Sequence, residues 1–302
     1  MAISRANIAK ELLPGLNAIF GITYKDVDNE HTPLFDVETS ERAFEEEVLM
    51  SGFSTAPLKS EGAGVTYDSA QEVYTARYIN NTIALAFAIT EEAMEDNLYD
   101  TFSKIRAKAL ARAMANTKQV TAANVFNNGF SSSYPGGDAV SLFSASHPTL
   151  AAGSQSNTSG AVDLSESSLE TMCINISLIK DDKGILVGAM PQSLHIPPQL
   201  TFVAERILRS PGQSGTANND LNALRNTNYV PKGYFVNRRF TDTNAWFVRT
   251  DVPNGSKMFV RVPLQTKMEP DFDTGNMRYK ARERYSFGWS DWRQWFGASG
   301  SS

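Results

Sequence analysis

"RYKARERYSFGWSDWRQWFG", Arg278 to Gly297, gathers more arginine and aromatic residues than any other block of the chain. Read with a period of two, Tyr279, Ala281, Tyr285, Phe287 and Trp289 fall on one side, and Arg278, Lys280, Arg282 and Arg284 on the other. That alternation predicts a strand with one apolar and one cationic face. Aromatic side chains suit such a strand because they pack well on a pleated, half-buried surface. Gly288 marks either a bulge or a close backbone approach. A flat strand with cations along one face needs solvent, nucleic acid or an acidic surface of another subunit on that side.

Preceding this block, "KMFVRVPLQTKMEPDF" predicts a partner strand, joined to it by a turn near Asp273-Thr274-Gly275. Upstream, "KGYFVNRRF" and "AWFVRTDV" read as two further strands. "LHIPPQLTFVAERILRS" reads as a strand, a Pro-Pro break and a short helix. "SESSLETMCINISLIK" is a helix capped by Leu164-Ser165, and the Ser-, Gly- and Asn-rich stretch before it is a long loop.

From Thr90 to Gly129 the pattern is helical. Met94, Leu98, Phe102 (or Thr101), Ile105, Ala109 and Ala113 form the predicted stripe. Thr90 caps its start, acids dominate its first half and bases its second, and Gly129 stops it. Nearly forty helical residues would span roughly 55 Å, against a usual helix of ~11–12 residues. Such a helix is a spine on which other elements are laid. Before it, residues 51–90 predict a long projecting hairpin with its tip at Gly62 and Gly64. Residues 1–45, with the acidic "DVDNEHTPLFDVETSERAFEEEV", read as an arm outside the core, and "LLPGLNAIFGITY" as a short helix followed by an extended piece. A two-stranded hairpin is marginal alone in water, so a long one implies that another chain covers it.

Composition sets outer bounds. The chain has 302 residues, a formal net charge of -5, 41% hydrophobic and 20% charged residues. These are the proportions of an ordinary globular protein, and the acidic balance opposes a dedicated DNA reader. The single cysteine, Cys173, allows no internal disulfide and reads as a small buried side chain. The N-terminus lacks a signal-peptide pattern, and no run reaches the ~18 apolar residues of a membrane span.

Catalytic motifs are missing. The sequence holds no Walker-type glycine loop, no dinucleotide fingerprint and no H-E-x-x-H. "SPGQSG" follows a helix and has the wrong spacing for a nucleophile elbow. Asp138, Ser146 and His147 allow a triad on paper, but the better reading is that His147 fixes its loop by hydrogen bonding. No cofactor or metal ligand set is expected. The carboxylates Glu45, Glu46 and Glu47 form a run. For the cationic strand three readings stand: a solvated face, a clamp on acids such as Glu45 to Glu47 of a neighbour, or non-specific contact with DNA.

The order of parts, with "LFSASHP" (Leu142 to Pro148), "DLSESSLETM" (Asp163 to Met172), "MPQSLHIPPQLTFVAERILRS" (Met190 to Ser210), "NAWFVRT" (Asn244 to Thr250) and "RERYSFGWSDWR" (Arg282 to Arg293), resembles the major capsid proteins of tailed bacteriophages. Their shell fold is of the Hong Kong phage type, and the Mu-like major head subunits look most similar. The resemblance implies an α+β chain divided into an N-terminal arm (1–45), an extended loop (46–88), a peripheral domain with the spine helix (89–163), an axial domain (164–255) and returning peripheral strands (256–302). It implies a non-enzymatic subunit that assembles into the icosahedral head around double-stranded DNA, in the virion, after assembly in the host cytoplasm. Its partners would be its own copies in pentamers and hexamers, a scaffolding protein, the portal and, in some heads, a decoration protein, with no membrane. Glu45, Glu46, Glu47, Lys59, Arg278, Lys280, Arg282, Arg284 and Trp292 are the expected intersubunit residues, with Trp292 and Trp295 alternatively finishing the core. About forty residues precede the hairpin, and the opening Met1 favours a separate scaffold. No covalent crosslink through Lys59 is expected. The rivals are a tail-tube or decoration protein, an encapsulin-like compartment shell, and a hydrolase using Ser146 or His147.

Overall fold

The computed structural model describes residues 5–95, 99–212, 221–271 and 273–301, with the side chains of 5–12, 94, 95 and 99–102 left undescribed. The chain opens with helix α1 (Arg5–Lys25), then strands β1 (Asp36–Thr39), β2 (Phe44–Met50), β3 (Glu72–Ile79) and β4 (Asn81–Ile89). Helices α2 (Glu91–Glu95) and α3 (Tyr99–Asn127) follow, then β5 (Thr158–Gly160), α4 (Glu166–Ser177), β6 (Pro191–Ile196), α5 (Thr201–Arg209) and α6 (Ala223–Thr227). The last part is strands: β7 (Tyr234–Val236), β8 (Trp246–Thr250), β9 (Ser256–Pro270), β10 (Met277–Trp289) and β11 (Trp295–Ala298).

Two sheets organise these elements. The first has the order β1-β9-β10-β4, with β10 antiparallel to both β9 and β4. The second has the order β5-β11-β8-β6-β7. The alternation read from the sequence holds in β10: Met277, Tyr279, Ala281 and Tyr285 are buried, while Arg278, Lys280 and Arg282 are exposed. Glu283 is also buried on the aromatic side, and the ladder slips around it, between Arg282, Arg284 and Tyr285. The irregularity therefore sits at Glu283. Gly288 is the close approach, since a Cβ there would come within 2.8 Å of the Tyr78 ring.

Where the sequence predicts one spine of nearly forty residues, the described residues give α2 at Glu91–Glu95 and a 29-residue α3 at Tyr99–Asn127, which is the spine. Leu98 lies outside them, and Met94, Thr101 and Phe102 are among the undescribed side chains. The spine's buried face differs from the predicted one. Ile105 is 59% exposed, and the face turned inward is Ala107, Leu110, Ala111, Met114, Ala115, Ala122, Ala123 and Phe126. An alanine-rich helix gives apolar periodicity little contrast, so one large residue misplaces the stripe. The small residues let α1 and the sheet approach closely. Leu16 and Phe20 of α1 pack with Ala107, Leu110, Ala111 and Met114 of α3 and with Tyr279 and Ala281 of β10. That burial holds Arg5–Lys25 as one helix, with Pro14 inside it, where a short helix followed by an extended piece was expected.

Nor does residue 45 end a segment that avoids the core. Leu34 and Phe35 are buried in the main cluster, and β1 pairs parallel with β9. The paired hairpin is β2 with β3, in register from Phe44 opposite Ile79 to Met50 opposite Glu72. Beyond Asn80, β4 leaves the hairpin for the first sheet, so the projecting part spans 44–79.

Helix α4 starts on an Ser165 N-cap with a reciprocal Ser168 bond, as its sequence predicts. Leu169, Met172, Cys173 and Ile176 of α4 share a core with Leu194 and Ile196 of β6, Trp246 to Val248 of β8, and Trp292, Trp295 and Phe296. The chain end is thus split. β9 and β10 lie in the first sheet, but β11 enters the second, antiparallel to β8 and parallel to β5. The redirection is local: Asp291 caps a 3-10 turn at Trp292–Gln294, accepting from the Arg293 N–H at 2.9 Å.

Trp295→Ala should destabilise the unassembled subunit by about 3–5 kcal/mol, because a wholly buried indole at the seam is lost. Denaturant unfolding measures it. A loss below ~1 kcal/mol would mean that the two sheets do not depend on this residue.

Candidate intersubunit surfaces

One face of the first sheet is covered by α1 and α3. Among the described residues, the hairpin base packs on the other face near β9's start, through Ala76 and Tyr78 against Phe259. Further along, Arg278, Lys280 and Arg282 stand exposed beside Ala88, Ala86 and Ala84 of β4 on one side and Glu269, Lys267 and Gln265 of β9 on the other. All three alanines are exposed, and β4 is an edge strand. The result is a flat strip with small residues at the edge and cations down its centre. Arg278 donates to Asp271 at 2.6 Å. Lys267 hydrogen-bonds and attracts Glu269, which holds that carboxyl below its usual range, with a smaller contribution from Lys280. Arg284 is half-buried, and its Nε is buried with no hydrogen-bond partner.

Opposite in character is the buried face of the same strand. Glu283, 1% exposed, meets Lys118 of α3 at 2.6 Å and accepts from Tyr24 of α1 at 3.2 Å. Burial first, then the Glu283 charge, raise the Tyr24 phenol. This cluster fastens α1, α3 and β10 together. Its signal in the sequence is the one acid interrupting the aromatic side of β10.

The acid run 45–47 is largely committed within the chain. Glu45 accepts from Ser40 Oγ at 2.8 Å and from the N–H groups of Glu41 and Arg42. Those bonds, Ser40's first, hold its carboxyl below the ordinary value. Glu46 is exposed, 3.7 Å from Arg77. Glu47 binds Lys257 and Ser290. Lys257, only 5% exposed, also meets Glu38 of β1 at 2.9 Å. Burial alone would lower its ammonium, but the hydrogen bonds it donates to Glu47 and Glu38 outweigh that and raise it. Lys257 therefore ties arm, hairpin and sheet at one point, and sequence reading passed over it. Tyr78 completes the base, its ring 4.8 Å from Phe259 and its hydroxyl 2.6 Å from Ser290 Oγ.

Above this base, residues 51–71 form no strand. Phe53, Leu58, Val65 and Tyr67 are 62%, 101%, 70% and 95% exposed. Lys59 is exposed among them. Asp68 accepts from the N–H groups of Ser54 and Ser69, which pull its carboxyl down to about 2, and lies 3.6 Å from Lys183. Trp292, expected at a contact or in the core, is wholly buried against His147.

Ser146 is exposed, and His147 turns Nε2 to Asn157 and Nδ1 to Asp138, so no triad forms. Burial pushes the Cys173 thiol up to about 12, which makes it inert. Among the described residues no group of three His, Cys, Asp or Glu could hold a metal, and no helix is long and apolar enough to cross a membrane. A cleft of about 610 Å³ between β3, α3 and residues 134–137 has no carboxylate, histidine, cysteine or serine in its walls.

The family described as phage capsid protein matches residues 73–297. Solved structures similar to this one include the capsid of a native GTA particle computed with C5 symmetry, with TM-score 0.54, 11% identity, and coverage of 91% of this chain and 92% of that one. The virus-like particle from Pyrococcus furiosus gives TM-score 0.53 at 9% identity, covering 95% and 99%. A phage-related protein from Bordetella bronchiseptica RB50 gives 0.52 at 11% identity, covering 93% and 95%. No curated protein matches in sequence. At these identities the structures establish the fold, the α+β shell architecture of the Hong Kong phage type.

Lys257→Met should leave Glu38 and Glu47 without their cation. With both carboxylates partly solvated, the expected cost is about 2 kcal/mol, below that of a fully buried pair. Hydrogen exchange should quicken in 44–50 and 72–79 more than in β9 and β10. Equal protection of both regions would remove Lys257 from the role of tie.

Proposed function

This chain belongs to the phage capsid protein family, and from that premise we propose that it closes its shell by laying the 44–79 hairpin of one copy across the open sheet face of the next. The observation carrying this reading is a pair of unfinished surfaces on one chain. The hairpin tip exposes Phe53, Leu58, Val65 and Tyr67, four large apolar side chains within fifteen residues, which mark a surface that a partner covers. The sheet offers Ala84, Ala86 and Ala88, a flat apolar strip, beside Arg278, Lys280 and Arg282. Apolar tip residues fit the alanine strip. Glu46 or Glu61, exposed acids of the hairpin, fit the cations. Contacts of this obligate kind usually bury ~2,000 Å² or more.

Several finer expectations join the proposal. The order of the five motifs supports placement nearest the Mu-like head subunits. The hairpin at 44–79 acts as the extended loop, the spine and first sheet as the peripheral domain, and the second sheet with α4 to α6 as the axial domain that meets the symmetry axes. The C5-symmetric GTA capsid supports pentamers of this chain, with hexamers completing an icosahedral head. Scaffolding protein, portal and packaged double-stranded DNA are the expected partners in that head, a decoration protein in some.

Two experiments test the clamp. Removing residues 55–67 joins Ser54 near Asp68, whose side chain already accepts the Ser54 N–H at 2.6 Å. The variant should keep native circular dichroism and form no shells by electron microscopy, alone or with the adjacent head genes. Normal shells would end the clamp role. Lys280→Glu with Arg282→Glu changes exposed residues alone, so stability should move by no more than ~0.5 kcal/mol, while assembly fails. Unchanged assembly would leave those cations a solvated face.

A further inference from the structure

Strand β4, "NTIALAFAI" at Asn81–Ile89, ends the first sheet and carries no charge, proline or glycine along its nine residues. Edges of that length are normally blunted by a charge, a proline or a bulge. The direction of its free main-chain groups follows from the ladder. At the β9–β10 turn the Asp271 N–H donates to the Asn276 carbonyl at 2.8 Å, so that pair is hydrogen-bonded. Antiparallel ladders alternate, which makes Glu269 with Arg278 the next such pair. Arg278 thus turns its main chain to β9, while Met277, Tyr279 and Ala281 turn theirs to Ile89, Phe87 and Leu85 of β4. The N–H and C=O groups of Thr82, Ala84, Ala86 and Ala88 therefore point away from the sheet. Ala88 agrees, since its carbonyl accepts from the Arg106 guanidinium of α3 at 2.9 Å. Among the described residues nothing else pairs with this edge. Leu85, on the helix side, stays 49% exposed.

The same chain holds a second unpaired ladder. The hairpin closes where the Ser51 N–H donates to the Gln71 carbonyl at 2.8 Å, and beyond that point no strand forms. The outgoing leg contains Pro57, which has no N–H for a ladder, and a turn follows in which the Ala63 N–H meets the Ser60 carbonyl. The returning leg, Gly64-Val65-Thr66-Tyr67, keeps every N–H and has the β-branched and aromatic residues of a strand. Among the described residues its main chain meets no partner. We propose that this leg joins β4 of a neighbouring copy as a fifth strand of that copy's first sheet, bonded through the outward groups of Thr82, Ala84 and Ala86. The inference rests on the clamp proposed above and supplies its main-chain contact. Added strands of this kind take affinity from main-chain bonds and specificity from alternate side chains. Val65 and Tyr67, two residues apart, share one face. On the helix side of the edge, Ile83, Leu85 and Phe87 already occupy the space. On the open side, Ala84, Ala86 and Ala88 leave room for large neighbours. Val65 and Tyr67 therefore lie on the alanine side, and Thr66 covers the bare flank of Leu85.

Paired cysteines read this contact directly, because the chain's one native cysteine, Cys173, is buried. Chains with Ala84→Cys or Ala86→Cys, each combined with Val65→Cys, Thr66→Cys or Tyr67→Cys, would be assembled in reductant with the adjacent head genes. They would then be oxidised and run on a non-reducing gel. Every substituted position is exposed, so the subunit fold is not at stake. Cross-strand Cβ atoms on one face lie ~4.5–5.5 Å apart, close to disulfide reach. Ladders of linked copies should therefore form with Val65→Cys and Tyr67→Cys, roughly fivefold above Thr66→Cys, in shells and not in free subunits. Equal linkage at all three tip positions, linkage strongest at Thr66→Cys, or shells without links would overturn the added strand. Hydrogen exchange gives a second readout: the Ala84 and Ala86 amides should slow by at least about tenfold on assembly. Unchanged exchange there would also overturn it. Failure of the clamp itself looks different. If removing 55–67 leaves shells normal, clamp and strand fall together. If that removal blocks shells while the links show no alternation, the clamp stands and the strand alone falls.

Discussion

The indole of Trp295 stands edge-on to Phe126 with ring centres 4.6 Å apart, and its N–H donates to Ser256 Oγ at 2.8 Å. Phe126 closes the spine helix, Ser256 opens β9, and Trp295 itself opens β11. One contact thus joins the helix, the first sheet and the second. Ser256 Oγ in turn donates to the Leu34 carbonyl, which draws the arm to the same place. The chain must run to its final residues before these parts can lock. That makes the closing contacts non-local, the kind whose loop-closure entropy is spent before packing returns it. An aromatic block at the chain end is the physical answer to that cost, since each indole buries a large apolar area and also carries a hydrogen-bond donor.

Charge in this capsid subunit divides by burial. Lys118 with Glu283, Lys257 with Glu38 and Glu47, and Arg293 with Asp182 and Asp291 sit in the interior or at its edge, each cation bound to more than one oxygen. Removing one member would leave a buried charge unpaired, so such sites fix where elements meet more than they add stability. The exposed cations of β10 are different. They lie on one strand, in water, next to alanines that cannot shield them. Exposed ion pairs are weak singly, but a row of like charges on a flat strip is directional. In the proposed clamp, an incoming surface with acids would be oriented by it before apolar contact begins.

Much of this was legible from residues alone, and where reading failed the reasons are physical. The alternation in β10, the Ser165 cap of α4 and the Pro-Pro break after β6 are local signals, each decided by a few neighbouring residues. The spine was legible as a helix because its caps and charge order are local too. Its buried face was not, because Ala107, Ala111, Ala115, Ala122 and Ala123 carry little hydrophobic contrast and Ile105 carries much. The arm looked peripheral because Leu34 and Phe35 sit in an acidic stretch, and only the fold reveals the core they enter. Among the candidate contact residues, the cations at 278, 280 and 282 face outward as the period of two requires. Glu47 and Trp292 turned inward because Lys257 and His147, far away in sequence, were waiting for them. No local pattern announces a partner two hundred residues distant.

The hairpin shows why a subunit can be well folded and still incomplete. Its base is held by Tyr78 against Phe259 and Gly288, and by Glu47 on Lys257. Its direction relative to the sheet is therefore set within one chain. Its tip is tied at its root, where Asp68 lies 3.6 Å from Lys183, while Phe53, Leu58, Val65 and Tyr67 stay exposed. Ordering each residue costs on the order of 1–2 kcal/mol, and the exposed Leu58 and Tyr67 recover nothing until another surface covers them. In the proposed clamp a rigid base and a dependent tip divide the work: the base would aim the tip, and the neighbour would supply the burial that holds it. If both parts were self-sufficient, the monomer would lose its reason to associate. If neither were, the tip would sample too many directions to find the strip.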